Sequence, residues 1–438
     1  MSLEKSDATT NLSHHAIHIP GTAPNNLTRH PLIDKCHKEF DIFFNNIGFH
    51  SHLMHHYLAA YALGASKERL QEIYDTHASY MRPIPDSVGI ITRNTYRQEL
   101  GNRNAYTSYL NFFTEEIKQF GMMETIRYWM FKDDMLTLVL GALYHPTIHL
   151  AYAAEFNLPK IASEALAMAA CTDHRLVPLF GTLDQPLPST LNKKNGTQSI
   201  YDIINRIRRD PDFDDVVHFS DQFKDRSVLE NTKAVAKLRE YASQWHFKDI
   251  ESNLQELFIH WIFIEAATGI RKNHEVKLDF DLTHVLTSVH AVYTLVPHLT
   301  STQAELLLSH YMLESLMYYV AQGRPPIEMD LLAEYKSPQA INGSDTPWLD
   351  VFRLALAAEE PHCIKAVRAI ALAQIVYGSS DGNDQKEVEG SSSTFVTRKN
   401  QDLLFLKAAQ LTVDVAGKGT AQMPNFVFTG IGYKETWE

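Results

Sequence analysis

An all-α fold is the architecture this 438-residue chain predicts. Three observations carry that expectation. Apolar residues recur at three- and four-residue spacing through most of the chain, convincing period-two alternation is almost absent, and Gly, Pro and Ser cut the chain into lengths typical of helices. There is no heptad run and no short-period repeat. The expectation is therefore a single large helical domain with irregular loops over residues 31–438. It is preceded by a flexible arm, residues 1–30, rich in Ser, Thr, Asn, His and Pro.

In order along the chain, a helical pattern runs from Pro31 to Leu63 and closes at Gly64. Ser66 caps a second helix over 66–75, and 76–103, with prolines and few apolar repeats, reads as irregular. Tyr106–Phe120 and Met122–Phe131 are helices separated by Gly121, and Asp133–Tyr144 is another. Pro146 suits the first turn of the next helix, where its missing N–H costs nothing; that helix reaches Phe156, and Pro159 opens one more through Ala170. Residues 174–198, with three prolines and two glycines, form a loop. Helices resume over 198–208, 226–243, 250–268, 281–296, 302–321, 328–335, 360–377 and 400–416. The polar, low-complexity stretch 378–393 reads as a mobile loop, and F-V-F-T-G-I-G-Y near the end as extended.

Composition narrows the function classes. Apolar residues make up 45% of the chain and charged residues 21%, values of an ordinary globular protein. The formal charge of -12 argues against non-specific nucleic-acid binding, which needs a basic footprint. Three widely spaced cysteines, Cys36, Cys171 and Cys363, build neither a disulfide framework nor a CxxC zinc pattern. They point to a reducing compartment. The start lacks a basic and apolar leader pattern, and the most apolar window, 257–270, is too short and interrupted for a membrane span. A soluble cytoplasmic protein without a membrane or nucleic-acid partner is the expectation.

Familiar catalytic motifs are missing: no GxGxxG after a strand, no GxxxxGK[ST] and no GxSxG. What remains is a set of histidine-bearing helices. In S-H-L-M-H-H-Y-L, His52 and His56 share a helical face and His55 lies to one side. In H-P-T-I-H, His145 and His149 share a face, with Pro146 where a zinc-protease helix would carry its glutamate. His284 shares a face with Ser288 and Ala291, and His362 and Lys365 are i,i+3 neighbours above Ala366, Ala369 and Ala373. Histidine is the commonest transition-metal ligand and is neutral enough to bury. A lone histidine on an apolar face is nevertheless most often a packed, hydrogen-bonded core residue, and 22 histidines cluster partly by chance. On that ground His55, His77, His174, His246 and His310 read as background. Lys365 alone would be a solvated helix lysine. Among histidines near a cation its ammonium is electrostatically wrong. Burial would instead give a neutral amine, able to act as a base or to take up CO2 as an anionic carbamate suited to a hard divalent metal.

The ordered motifs resemble the questin oxidase-like family. They are S-H-L-M-H-H-Y-L-A-A-Y-A-L-G-A-S, with Ser51 where the family usually has Asn, then G-A-L-Y-H-P-T-I-H-L-A-Y-A-A-E-F and S-E-A-L-A-M-A-A. T-H-V-L-T-S, E-P-H-C-I-K-A-V-R-A and the closing F-T-G-I-G-Y-K-E-T-W-E follow, so the resemblance runs from about Pro31 to Glu438. It implies an oxidoreductase that opens a ring of an anthraquinone or related aromatic polyketide by inserting oxygen beside a carbonyl, a Baeyer–Villiger-type outcome commonly described as NADPH-dependent. It also implies that the recurring polar positions are His52, His145, His284, His362 and Lys365. His149 falls where relatives vary between His and Arg.

Three readings follow. In the first, the four histidines and Lys365 as a carbamate hold Fe(II), O2 is the oxidant, and Tyr57, Tyr61, Tyr144, Tyr152 and Phe156 line the substrate pocket. Lys365 and His149 are the candidate catalytic residues. In the second, the enzyme works without a metal, with NADPH reducing the quinone, or the substrate itself activating O2, and His145 and His149 as acid–base groups. In the third, the chain is a non-catalytic helical protein that binds an aromatic ligand.

Overall fold

A computed structural model describes residues 9–10, 12–21, 27, 30–182, 196–339, 344–378 and 398–438. Among them the all-α expectation holds. The helices are α1 (Pro31–Glu39), α2 (Leu53–Ala62), α3 (Lys67–Ala78), α4 (Tyr106–Phe120), α5 (Met122–Met130), α6 (Met135–Leu140), α7 (His145–Phe156), α8 (Pro159–Cys171), α9 (Val177–Phe180) and α10 (Ile200–Arg209). They continue as α11 (Lys224–Glu230), α12 (Thr232–Ala242), α13 (Ile250–Thr268), α14 (Phe280–Leu295), α15 (Ser301–Ala321), α16 (Met329–Glu334), α17 (Pro347–Ala357), α18 (Pro361–Tyr377) and α19 (Arg398–Val415). Extended pairing among the described residues is limited to isolated bridges. No described helix is long and apolar enough to cross a membrane.

The chain divides into two compact units: Met1–Leu187 with His290–Leu307, and Pro188–Val289 with Leu308–Glu438. In the first, α8 is the central helix, packed against α4, α5, α6 and α7. Its sequence, P-K-I-A-S-E-A-L-A-M-A-A-C, is buried at every position from Ile161 to Cys171. A helix apolar all round has no solvent face, and its alanines let neighbouring helices approach closely. In the second unit α18 plays the same part, buried from Pro361 to Ala373 and packed against α13, α17 and α19. Each central helix carries charged groups into the core: Glu164 on α8, and Lys365 and Arg368 on α18.

Several boundaries differ from the sequence pattern. The stretch 31–63 is two helices, because Phe40 is extended and pairs with Pro83, and Asn45 folds 45–49 into a turn. The Asn45 Oδ1 atom accepts from the N–H groups of Gly48 and Phe49 at 2.9 Å each, and Gly48 takes φ +95°. The expected 226–243 helix breaks at Asn231, whose side chain caps Ala234 N and starts α12. The 133–144 helix ends at Leu140. Helix α17 was not anticipated, although Pro347 stands at its first turn. The F-V-F-T-G-I-G-Y segment is a series of turns with one bridge, Asp279 to Val427. The expected mobile loop 378–393 lies, beyond Gly378, outside the described residues. In the expected arm, Thr10 N bonds Leu299 O at 3.0 Å and Ile19 N bonds Ala62 O at 2.7 Å.

Candidate metal centre

In the first unit, the turn before α7 fixes the first ligand candidate. Ala142, Leu143 and Tyr144 all adopt left-handed backbone, with φ of 52°, 54° and 61°. Three consecutive non-glycine residues in that region are costly and tend to mark sites where geometry matters. The turn carries the Ala142 carbonyl back to His145, where it accepts from Nδ1 at 2.6 Å. His145 is thereby held as the Nδ1–H tautomer, with its Nε2 lone pair aimed at His52 Nε2, 2.9 Å away. His52 does not sit inside a helix, as its spacing with His56 suggested. It is the N-cap of α2, and Ser51 Oγ accepts from Leu53 N at 3.2 Å. His50 stacks on His145 at 5.2 Å between centroids, and burial, followed by the charges of His145, Arg103 and His149, pushes its pKa well down.

His55 and His149 continue this cluster. His149 Nδ1 meets His55 Nε2 at 3.0 Å, and His149 Nε2 bonds Glu164 Oε2 at 3.1 Å. His37 Nδ1 takes the other oxygen of Glu164 at 2.7 Å. Burial raises the Glu164 pKa, but hydrogen bonds from His149 and His37, together with their charge, bring it down to about 2. Helical spacing marks neither Glu164 nor His37, and His55, expected as background, is a member of the cluster. The available signal was an acid in an otherwise apolar, alanine-rich helix, which demands partners. His56 pairs instead with His77 at 3.2 Å, and His77 with Tyr80. Of the expected pocket aromatics, Tyr152 stacks on His55 at 5.6 Å and on Phe156 at 6.2 Å. Tyr61 meets Phe156 edge-on, and Tyr57 bonds His30.

The second unit holds the other pair. His284 lies in the first turns of α14, its Nδ1 bonded to Phe280 O at 2.8 Å. His362 occupies the second position of α18, after Pro361. Glu360 caps that helix: its Oε2 accepts from the N–H groups of His362 and Cys363 at 2.8 and 2.9 Å, while Oε1 accepts from His362 Nδ1 at 2.5 Å. His362 Nε2 and His284 Nε2 face each other at 3.0 Å. Phe280 lies edge-on to both rings, at 4.5 and 5.2 Å, and Phe426 meets His362 at 5.8 Å. The Lys365 amine is buried, with no hydrogen-bond partner among the described residues. Burial drives it down, with Glu360 acting in the opposite sense, and burial drives Glu360 up, with Lys365 opposing. Helical spacing does not mark Glu360; an acid immediately before Pro and His at a helix start is the signature that does.

The tautomers test whether these residues fit a metal. Carbonyl and carboxylate partners on Nδ1 of both His284 and His362 leave both Nε2 atoms as acceptors. Two imidazole lone pairs at 3.0 Å repel unless a cation or an added proton lies between them. A borderline donor set of neutral imidazoles suits a first-row transition metal. A surface groove of about 850 Å³ in the second unit, lined by residues that include Tyr201, Arg206, Tyr241 and Met329, contains no histidine and not Lys365.

Comparison with known proteins adds an independent finding. Residues 49–370 match the model of a family described as questin oxidase-like. The chain is 27% identical to the questin oxidase of Aspergillus terreus over 93% of its own length and 91% of that protein's. It is 23% identical to a Baeyer–Villiger oxidase of Paecilomyces divaricatus, over 93% and 89% of the two chains. It is 27% identical to an oxidoreductase of Aspergillus parasiticus, over 81% and 74%. The matched span contains His52, His145, His284, His362 and Lys365.

Proposed function

The chain belongs to the questin oxidase-like family and is an oxidoreductase, and from that premise we propose that it opens a ring of an anthraquinone or related aromatic polyketide by a Baeyer–Villiger-type oxygenation at a non-haem Fe(II) centre. His52, His145, His284 and His362 are each proposed as ligands of the ion, with Lys365, as its carbamate, supplying an anionic oxygen. The observation that carries this reading is the His284–His362 pair, two Nδ1-anchored rings whose Nε2 lone pairs converge. The substrate class is drawn from the relatives named questin oxidase and Baeyer–Villiger oxidase. Inserting one atom of O2 and reducing the other to water takes two electrons, which we assign to NADPH. The cytoplasm is proposed as the compartment on the strength of three buried free cysteines.

The bound ion supplies Lewis acidity and access to O2 chemistry. The chain's own residues set the conditions. Ala142 O, Phe280 O and Glu360 fix three ring tautomers, so the donors are preorganised and lose little on binding. Phe280 and Phe426 give His362 an apolar wall that keeps bulk water away. Burial holds the Lys365 amine towards its neutral form, the form that captures CO2.

Elemental analysis of purified protein, paired with oxygen uptake on an anthraquinone substrate with and without NADPH, tests the proposal. Stoichiometric iron in the wild type, and its loss in His52→Ala and Lys365→Ala, is the expected result. Tightly bound metal in both variants would remove the assigned ligand set. Turnover that survives exhaustive chelation would favour a metal-free NADPH mechanism, and ligand binding without oxygen uptake a binding protein.

A further inference from the structure

The segment Phe426–Val427–Phe428 lies in the second unit, beyond the matched span 49–370. Val427 holds it in place: its N–H donates to Leu278 O at 2.8 Å, and its carbonyl accepts from Phe280 N–H at 2.9 Å. Side chains alternate along an extended segment, so Phe426 and Phe428 share the side opposite Val427. Both rings meet Phe280, at 5.9 and 4.5 Å. Phe280 in turn lies edge-on to His284 and His362, at 4.5 and 5.2 Å. The segment is pinned again at Ile431. Asp279 Oδ1 accepts from Asp281 and Leu282 N–H in the first turn of α14, while its Oδ2 accepts from Ile431 N–H at 3.0 Å. Trp437 Nε1 donates to Ile431 O at 2.8 Å. One carboxylate therefore ties the start of the helix that carries His284 to the segment that carries the two phenylalanines.

Exposure rises steadily along these rings. His284 and His362 are buried, Phe280 and Phe426 are half-buried, and Phe428 is 56% exposed. A lone exposed phenylalanine needs no explanation. This one ends a ladder of rings that starts on two ligand candidates, and its ring neighbour among the described residues is Phe280 alone. We propose that Phe428 and Phe426 are specificity-determining residues, an aromatic platform that stacks the fused rings of the substrate and leads them to the His284–His362 end of the ladder. This rests on the substrate class proposed above. The occupant follows from continuity with the candidate centre and from the chemistry of the ladder. Its members are rings without a carboxylate, ammonium or guanidinium, so it attracts a flat aromatic face, and ring pairs gain more than the area they bury. Two ring-to-ring steps, of 4.5 and 5.2 Å, separate Phe428 from His362. A fused polycycle seated on Phe428 covers that span, and a single ring does not. The bridge at Val427 and the anchor at Ile431 fix the backbone beforehand, so little ordering accompanies binding.

Binding tests the platform without turnover. The full chain is titrated with 1,8-dihydroxyanthraquinone, followed by its visible absorbance. Phe428→Ala and Phe428→Leu should each raise Kd about 10-fold, and Phe428→Trp should hold it near the wild-type value. Leucine keeps apolar bulk but no ring, so a merely hydrophobic or structural role would leave that variant unchanged. Melting temperature and metal content should stay at wild-type values in all three, because the side chain is mostly exposed. In oxygen uptake with the same compound, Phe428→Ala should raise KM about 10-fold with kcat little changed, the signature of lost uniform binding. Wild-type Kd in Phe428→Ala, no binding by the wild type, or a self-association that Phe428→Ala abolishes while Kd stays unchanged would overturn the proposal; the last would mark the face as a contact between copies of the chain. Ring-dependent binding without oxygen uptake would leave the platform standing and remove the oxygenase reading. Oxygen uptake with KM unaltered in Phe428→Ala would do the reverse.

Discussion

Single buried groups carry most of the site's chemistry, and three of them can be tested directly. Glu360 is expected to act through His362: Glu360→Gln presents an amide N–H₂ or a lone carbonyl where a carboxylate accepted three N–H groups. Loss of such a partner should weaken metal affinity about 10- to 100-fold, read by competition with a chromogenic chelator. The Lys365 amine is buried without a hydrogen bond among the described residues, so Lys365→Met should abolish oxygen uptake while leaving the melting temperature of the metal-free protein equal or higher; an apolar replacement removes an unfavourable burial. Glu265 on α13 is fully buried and, among the described residues, its carboxyl accepts from Thr283 alone; burial raises that carboxyl to about 8 against the opposing pull of the hydrogen bond. The folded state therefore binds more protons than the unfolded state between about pH 4.5 and 8, so stability falls as pH rises through that window. Glu265→Gln should flatten the dependence, which melts at pH 5 and pH 8 would register. None of these acids stood out in the sequence. An acid in a helix is usually on its wet face, and only the packing of neighbouring helices shows that this face is dry.

At the scale of the element, α8 and α18 are the parts least tolerant of change. Ala167 has no exposed surface, and α8 is enclosed by α4, α5, α6 and α7. Ala167→Leu should cost about 1–3 kcal/mol through overpacking, seen as a lower denaturation midpoint with an unchanged slope. Their sequences disclose this well: a run such as A-L-A-M-A-A-C has no polar side to give to water. The break of the expected 226–243 helix was less legible, because Asn231 is tolerable inside a helix and decisive only when its side chain caps the next one. The left-handed turn Ala142–Leu143–Tyr144 was not legible at all. None of its three left-handed positions is a glycine or asparagine, and the conformation is imposed by what surrounds it and by the helix start that follows.

For the molecule as a whole, a ligand set drawn from distant positions makes metal binding part of folding stability. Free metal at about 100 times its Kd should stabilise the chain by about 2.7 kcal/mol. Calorimetry before and after chelation should therefore show a lower melting temperature in the stripped protein, restored by Fe(II); identical melts would speak against a tightly held ion. The all-α class is legible in the chain alone, since helical periodicity and the scarcity of period-two alternation are local properties. The chain's ordered motifs also determined the family. The tertiary structure decided which of 22 histidines face one another, which nitrogens point inward, and that Glu360 and Glu164 stand behind them. Those facts depend on contacts between residues about 80 to 130 positions apart, such as His284 with His362 and His37 with Glu164. Helical spacing reaches only a few residues along the chain, so it placed His52 and His56 on one face, where the folded chain instead pairs His52 with His145 and His56 with His77.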